Sequence, residues 1–380
     1  MNVFWYIVPS DGRYPWHPKG SRVVDYPYLQ QLTRAVDTLG FTGALFATTG
    51  GAHDAWVTAA SLIPFSEKLK FIIAVHPGLM TPLMLAQKAA TFDQFSKGRL
   101  ILNVITGEQH QLPPHGIYLD HDERYALTDE YWSIWRRLMQ GESVTHHGKY
   151  FNLDNAQLNL PPLQTPYPEL FFGGSSEPAL KVAARQVDTY LTWGEPVEKA
   201  REKVERLRAL AALEGRTLKF GIRLNVIVRE TREEAWQAAQ WLLNKMDKSA
   251  IDINLKRQRT SDSVGQARMT ALFDNTPVNT ARDLEIAPDL WAGLGLVRGG
   301  PGTALVGDPE TVAERLNEYR EAGFDTFILS GYPLLEEAYR VSDLLLPLLP
   351  RSDTTAQATS NHDAWLNATG AWHLKDGKAA

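Results

Sequence analysis

Arg223 lies inside an apolar run, FGIRLNVIV (220–228), with Asn225 two residues on. If the run is a strand, the two side chains share a face. A guanidinium buried in a strand must meet an anion, either an internal carboxylate or a bound molecule. Asn103 sits likewise inside LILNVIT (100–106), and its amide needs partners from nearby backbone or from a cofactor ring. GGSS (173–176) precedes a helical pattern, EPALKVAARQ. Gly174, Ser175 and Ser176 fit a phosphate cradle at a helix start, and equally a tight turn with a serine cap. Trp193 and Tyr332 close two further apolar runs, as packing or as the wall of a site. A lone charge, Arg298, stands in GLVRGGPGTALVG (295–307) among five glycines and one proline.

Eight apolar runs would position these residues: 3–9, 43–48, 70–77, 100–106, 169–176, 188–194, 220–230 and 326–331. Each is nearly continuous, as a strand buried on both faces should be. Helical patterns lie between most of them. Val197, Ala200, Val204, Leu207 and Ala211 recur at helical spacing, and that helix should end near Gly215. The alternation predicts an α/β fold, a (β/α)8 TIM barrel spanning 1–347, with a doubly wound sheet as the alternative. Two insertions, about 107–168 and 248–304, exceed ordinary loop length. The first should hold a helix near 124–140 and a hairpin around 145–160. The second reads as a mobile lid. Residues 348–380 read as a polar tail, although Trp365 and Trp372 lie in it.

The bulk composition narrows the function. The chain has 380 residues, a formal net charge of −5 and no cysteine. Disulfides, thiol catalysis and thiolate metal sites are excluded. The mild charge predicts neither a nucleic-acid nor a membrane partner. No signal peptide or membrane span is recognisable, so a cytoplasmic protein is expected. There is no G-x-x-x-x-G-K-[ST], H-E-x-x-H or G-x-S-x-G motif. GLGLVR (293–298) is a poor nicotinamide fingerprint, and His146–His147 suits a solvated hairpin better than a metal, so no metal site is expected.

Several segments resemble the bacterial-luciferase superfamily, and within it the FMNH2-dependent alkanesulfonate monooxygenases. They include AATFDQFSKGRLILNVITG, LDHDERYALTDEYWSIWRRL, PYPELFFGGSS, VDTYLTWGEP, FGIRLNVIVRET, DLWAGLGLVRGGPGTALVGDP and LSGYPLLEEAYR. The resemblance runs from about residue 2 to 347. It implies a two-component enzyme in which a separate NAD(P)H-dependent reductase supplies reduced FMN. With O2, and through a flavin-peroxide, such an enzyme oxidises an organosulfonate and releases sulfite and an aldehyde. It also implies a homodimer or homotetramer. Carried over by position, Gly174, Ser175 and Ser176 take the FMN phosphate. Asn103, Thr106 and Tyr125 lie along the flavin. Trp193, Arg223, Arg298 and Tyr332 form the sulfonate pocket. A sulfonate is a permanent anion suited to arginine, and Arg298 on a glycine-hinged loop would close over it.

The pocket departs from that pattern. Asn225 and Leu334 stand where the family usually has histidine, so two imidazoles that could shuttle a proton are gone. The first loop, with Arg13, Trp16 and His17, is altered. His53 and His76 are the substitutes within reach, with Trp16 a further candidate for the substrate pocket. A sulfosugar, a sulfone or a non-sulfur substrate, a deazaflavin cofactor, and a non-catalytic flavin-binding role are the alternatives.

Overall fold

A computed structural model describes residues 1–7, 10–47, 51–108, 112–274 and 276–351. The expected ends of the first two runs, 8–9 and 48, lie outside these, as does nearly all of the tail with Trp365 and Trp372. Eight parallel strands close on themselves: β1 (Asn2–Ile7), β2 (Gly43–Phe46), β3 (Lys70–Val75), β4 (Leu100–Val104), β5 (Leu170–Phe172), β6 (Thr189–Trp193), β7 (Lys219–Val228) and β8 (Thr326–Ser330). Each pairs with the next, and β8 returns to β1 through Asn2↔Thr326 to Trp5↔Leu329. The expected (β/α)8 barrel is therefore present, and each of the eight runs supplies one strand.

The strands are short, as barrel strands buried by an outer ring of helices should be. Phe71, Ile72, Ile73, Leu100, Leu102, Phe172, Ile222 and Leu224 are all fully buried. The expected helix at 197 runs Val197–Leu213, buries Ala200, Val204, Leu207 and Ala211, and ends before Gly215 at positive φ. Among the described residues, no helix is long and apolar enough to cross a membrane.

Strand β7 is twice as long as β6, ten residues against five. Its first half pairs with β6 and β8. Its second half, Asn225–Val228, pairs with an extra strand, Ala304–Gly307, absent from the expected set. That strand extends the sheet beyond the barrel mouth and fixes the loop carrying Arg298.

The first insertion contains the expected helix, α1 (His121–Met139), and the expected hairpin, Val144–His147 with Asn152–Ala156. The helix packs Trp132 and Trp135, both fully buried, against the barrel's outer layer. The second insertion contains α2 (Lys248–Arg259), α3 (Val264–Ala271) and a short 3-10 turn, Gly293–Leu296. Its Phe273, Trp291 and Leu294 build a second apolar cluster with Trp236 of the preceding helix, separate from the barrel core.

Candidate active site at the mouth of the barrel

The C-terminal ends of β4, β5 and β6 open into a cavity of about 270 Å³. Asn103, Thr106, Tyr125, Gly174, Ser175, Ser176, Trp193 and Arg223 all line it. Every residue assigned above to the cofactor thus lines the same cavity. Ser176 is the N-cap of the helix Glu177–Gln186 and accepts from Ala179 N at 3.4 Å. The cap reading of GGSS therefore holds, and it leaves the helix start facing the same cavity. Gly174 lets the backbone run close to that helix: a Cβ there would lie 2.6 Å from Ala179 Cβ. The Gly174 carbonyl accepts from Tyr190 Oη at 2.6 Å. Tyr125 is held edge-on by His121 (5.0 Å between centroids) and Phe172 (6.4 Å).

Arg223 stands opposite Trp193 across the β6–β7 register and stacks on the ring of Tyr6 at 3.4 Å. It forms no ion pair among the described residues, and its Nε and Nη2 are buried without a partner. Burial, with the nearby charge of Arg298, pushes the guanidinium down to about 10, against the opposing influence of Tyr6. Of the two sources of an anion open to Arg223, an internal carboxylate is not the one provided.

Two further expected pocket residues lie around a second cavity, about 460 Å³. Asn225 and Tyr332 line it, together with Arg13, Trp241 and Glu337. Arg298 Nη1 donates to Tyr332 Oη at 3.0 Å and to Asn225 Oδ1 at 3.5 Å, so it ties the two residues together. The structure does not gather the expected residues into one pocket. They divide between two cavities, and Arg298 lines neither, being bonded to Asn225 and Tyr332 of the second.

Asn225 is 1 % exposed and its amide is fully committed. Nδ2 donates to the carbonyls of Pro301 and Thr303 at 3.2 and 3.0 Å, while Oδ1 accepts from Ser330 Oγ at 2.7 Å. It is a clamp on the glycine loop and does not present its amide to a ligand. Leu334 is fully buried.

Of the substitute histidines, His53 is exposed and lines neither cavity. His76 lies behind Thr106 and Gly107; its Nδ1 is 3.0 Å from Pro77 O and its Nε2 is buried without a partner. Burial pushes its imidazole below the ordinary value, so it is neutral near pH 7. Trp16 packs edge-on against Tyr332 at 6.0 Å and donates Nε1 to Lys245 O, which makes it a support for Tyr332.

The segment expected to be a lid roofs the first cavity with Ser263, Val264, Gly265, Arg268 and Met269. In this structure it is fastened. Arg268 Nε donates to Glu195 at 2.7 Å, Ser261 Oγ to Glu108 at 2.8 Å, and Gly300 N to Gln266 Oε1 at 2.8 Å. Buried Glu195 also accepts from Lys203 at 2.8 Å. Burial alone would raise this carboxyl, but the ion pairs with Arg268 and Lys203 outweigh it and hold it below the ordinary range. Sequence reasoning passed over Glu195, Lys203, Arg268, Arg124 and Tyr6. Only Glu195, in TWGE at the end of β6, carried a positional signal.

The luciferase-like monooxygenase family profile matches residues 2–326, and the chain belongs to that family. A long-chain alkane monooxygenase shares the fold at 21% identity and TM-score 0.75, covering 93% of each chain. The EDTA monooxygenase of Chelativorans sp. BNC1 matches at 18% identity and TM-score 0.74, covering 93% of this chain and 96% of the other. A further match is the oxygenating constituent of 3,6-diketocamphane monooxygenase from Pseudomonas putida, solved in complex with FMN. It shows 18% identity and TM-score 0.67, covering 93% of this chain and 99% of the other.

Proposed function

We propose that this chain is an FMNH2- and O2-dependent monooxygenase that desulfonates an organosulfonate, with reduced FMN delivered by a separate NAD(P)H-dependent reductase. The observation that carries the reading is Arg223: a half-buried side chain whose Nε and Nη2 are buried and unpartnered, facing the cavity that Asn103, Thr106 and Ser175 also line. A permanent anion with several acceptor oxygens satisfies it.

The residues present suit a flavin phosphate, with a serine-capped helix start, a glycine that admits close backbone approach and a buried arginine, Arg124, in the same wall. The bound cofactor would supply the two electrons and the activation of O2. One oxygen atom ends in the aldehyde, the other in water, and the C–S bond breaks to release sulfite. The chain's own part is to orient and to exclude water. Arg223 holds the sulfonate oxygens. Trp193, lying near Gly265 and Gly300, helps seal the roof. Tyr332 and Arg298 form a polar edge beside it.

The decisive experiment is sulfite release over a panel of sulfonates, with FMN, NAD(P)H, O2 and a flavin reductase supplied. Sulfite formed in step with aldehyde supports the proposal. Hydride transfer from a reduced deazaflavin, with no sulfite from any sulfonate, would replace it. Asn225 and Leu334, neither titratable, are the observation behind a second reading, a flavin-binding protein without turnover. That reading predicts tight FMN binding and no oxygen-dependent product.

A further inference from the structure

Arg268, on α3, reaches from the roof into the cavity that Gly174, Ser175 and Ser176 also line. Its Nε donates to Glu195 Oε1 at 2.7 Å, and its Nη1 and Nη2 have no hydrogen-bond partner among the described residues. The Glu195 side chain is 5% exposed, and its Oε2 accepts from Lys203 Nζ at 2.8 Å. Lys203 also donates to Thr192 Oγ1 at 2.7 Å. All three charged groups line the cavity. One carboxylate therefore serves two cations. It holds the guanidinium by its Nε and leaves a positive charge and two donor nitrogens over. Arg268 also stands within electrostatic range of the Tyr190 hydroxyl, which donates to Gly174 O at 2.6 Å, so the uncommitted charge lies toward the GGSS turn. A second cation, Arg124, is 4% exposed and lines the same cavity with its Nε buried and unpartnered.

We propose that Arg268 is the roof's contact for the cofactor's phosphate, and that Glu195, paired also with Lys203, positions it for that contact. The proposal rests on the reading that this cavity takes reduced FMN. A phosphate at the start of the helix Glu177–Gln186 receives backbone N–H groups from one side. Charge-assisted donors are then needed from the other, and two N–H bonds from one guanidinium match two phosphate oxygens. The Nη1–Nη2 fork of Arg268 can make them while Nε keeps Glu195. Lys203 has a definite part in this. Without it, the charge of Glu195 would cancel that of Arg268 where the phosphate arrives. With it, the group of three stays positive. A phosphate held between the helix start and Arg268 ties the roof to the barrel. Riboflavin, which lacks the phosphate, makes no such tie.

The test compares the affinities of FMN and riboflavin, which differ by the phosphate, in wild type, Arg268→Gln, Arg268→Lys and Lys203→Met. Flavin fluorescence reads affinity, and amide hydrogen exchange over 264–271 reads the roof. Arg268→Gln should weaken FMN by at least about tenfold, the contribution of a charge-assisted contact, and leave riboflavin unchanged. Arg268→Lys keeps the charge without the fork and should lose part of that affinity. Lys203→Met should weaken FMN and spare riboflavin; equal losses of both there would overturn the positioning role. In wild type, FMN should slow exchange over 264–271 and riboflavin should not. An Arg268→Gln variant with wild-type FMN affinity, or with equal losses of the two flavins, would overturn the contact while leaving the cofactor reading intact. If Arg268→Gln does not fold, exchange in the wild type decides: FMN that slows the roof no more than riboflavin overturns the contact. A wild type that binds no flavin at all would overturn the cofactor reading and this proposal with it.

Discussion

A positive charge without a counter-ion is costly to bury, and in the proposed reaction the anion that offsets this cost at Arg223 is the substrate. Arg298 is different: it is already bonded to Tyr332 and Asn225. Its role in the proposed reaction is to fix Tyr332. Arg298→Ala should therefore lower sulfite release by at least about tenfold, one charge-assisted bond's worth. FMN affinity should hold, since Arg298 does not line the cavity proposed for the flavin; parallel sulfite and flavin-binding assays check this. His76 sets a pH response. Its folded value lies below the ordinary 6.5 because it is buried. As pH falls, the unfolded chain takes up this proton first, so stability is lost as pH drops below about 6.5. His76→Gln should shrink the fall in Tm between about pH 7.5 and 5.5. An unchanged fall would assign the acid response to other groups.

At the scale of elements, the glycine loop shows why its residues are small. Gly295 N donates to Gly302 O at 3.1 Å, and a Cβ on Gly302 would lie 2.5 Å from Gly295 Cα. The loop folds back on itself where only hydrogen fits. Gly302→Ala must push the two backbones apart, at a cost of about 1–3 kcal/mol, and should displace Arg298. The expected outcome is a lower Tm together with a larger fractional loss of turnover than of stability. Asn225→Ala tests the same loop from the barrel side. It strips two donors from the Pro301 and Thr303 carbonyls and should speed hydrogen exchange across 298–303. Much of this element scale was legible beforehand. The eight strands announced themselves because a barrel strand buried on both faces is apolar without interruption. The helix Val197–Leu213 was legible from its period. The short strand Ala304–Gly307 was hidden inside a glycine segment, where no alternation marks it. The second apolar cluster was hidden because its members, Trp236, Phe273 and Trp291, are far apart in the chain.

Across the whole molecule, the barrel brings residues from positions 6 to 332 to one end, and this is where sequence reading reached its limit. Residue type singled out Arg223, Asn103 and the GGSS turn, since buried polar groups and paired small residues are conspicuous in apolar strands. It could not divide them between two cavities. Nor could it find Tyr6 beneath Arg223 or Glu195 beneath Arg268, because those contacts join segments 217 and 73 residues apart. Asn225 illustrates the same limit: its spacing put it on the face of Arg223, and the long-range loop turned it into a clamp. The chain carries a net charge of −5, so its overall field does not favour an anionic substrate, and in the proposed reaction recognition would fall to the few arginines at the mouth. The most direct measurement is an anaerobic calorimetric titration of an alkanesulfonate into protein holding reduced FMN, wild type against Arg223→Met, which keeps the bulk and removes the charge. The account predicts saturable binding to the wild type and at least about a tenfold loss in the variant. Equal affinity in the two proteins would contradict it.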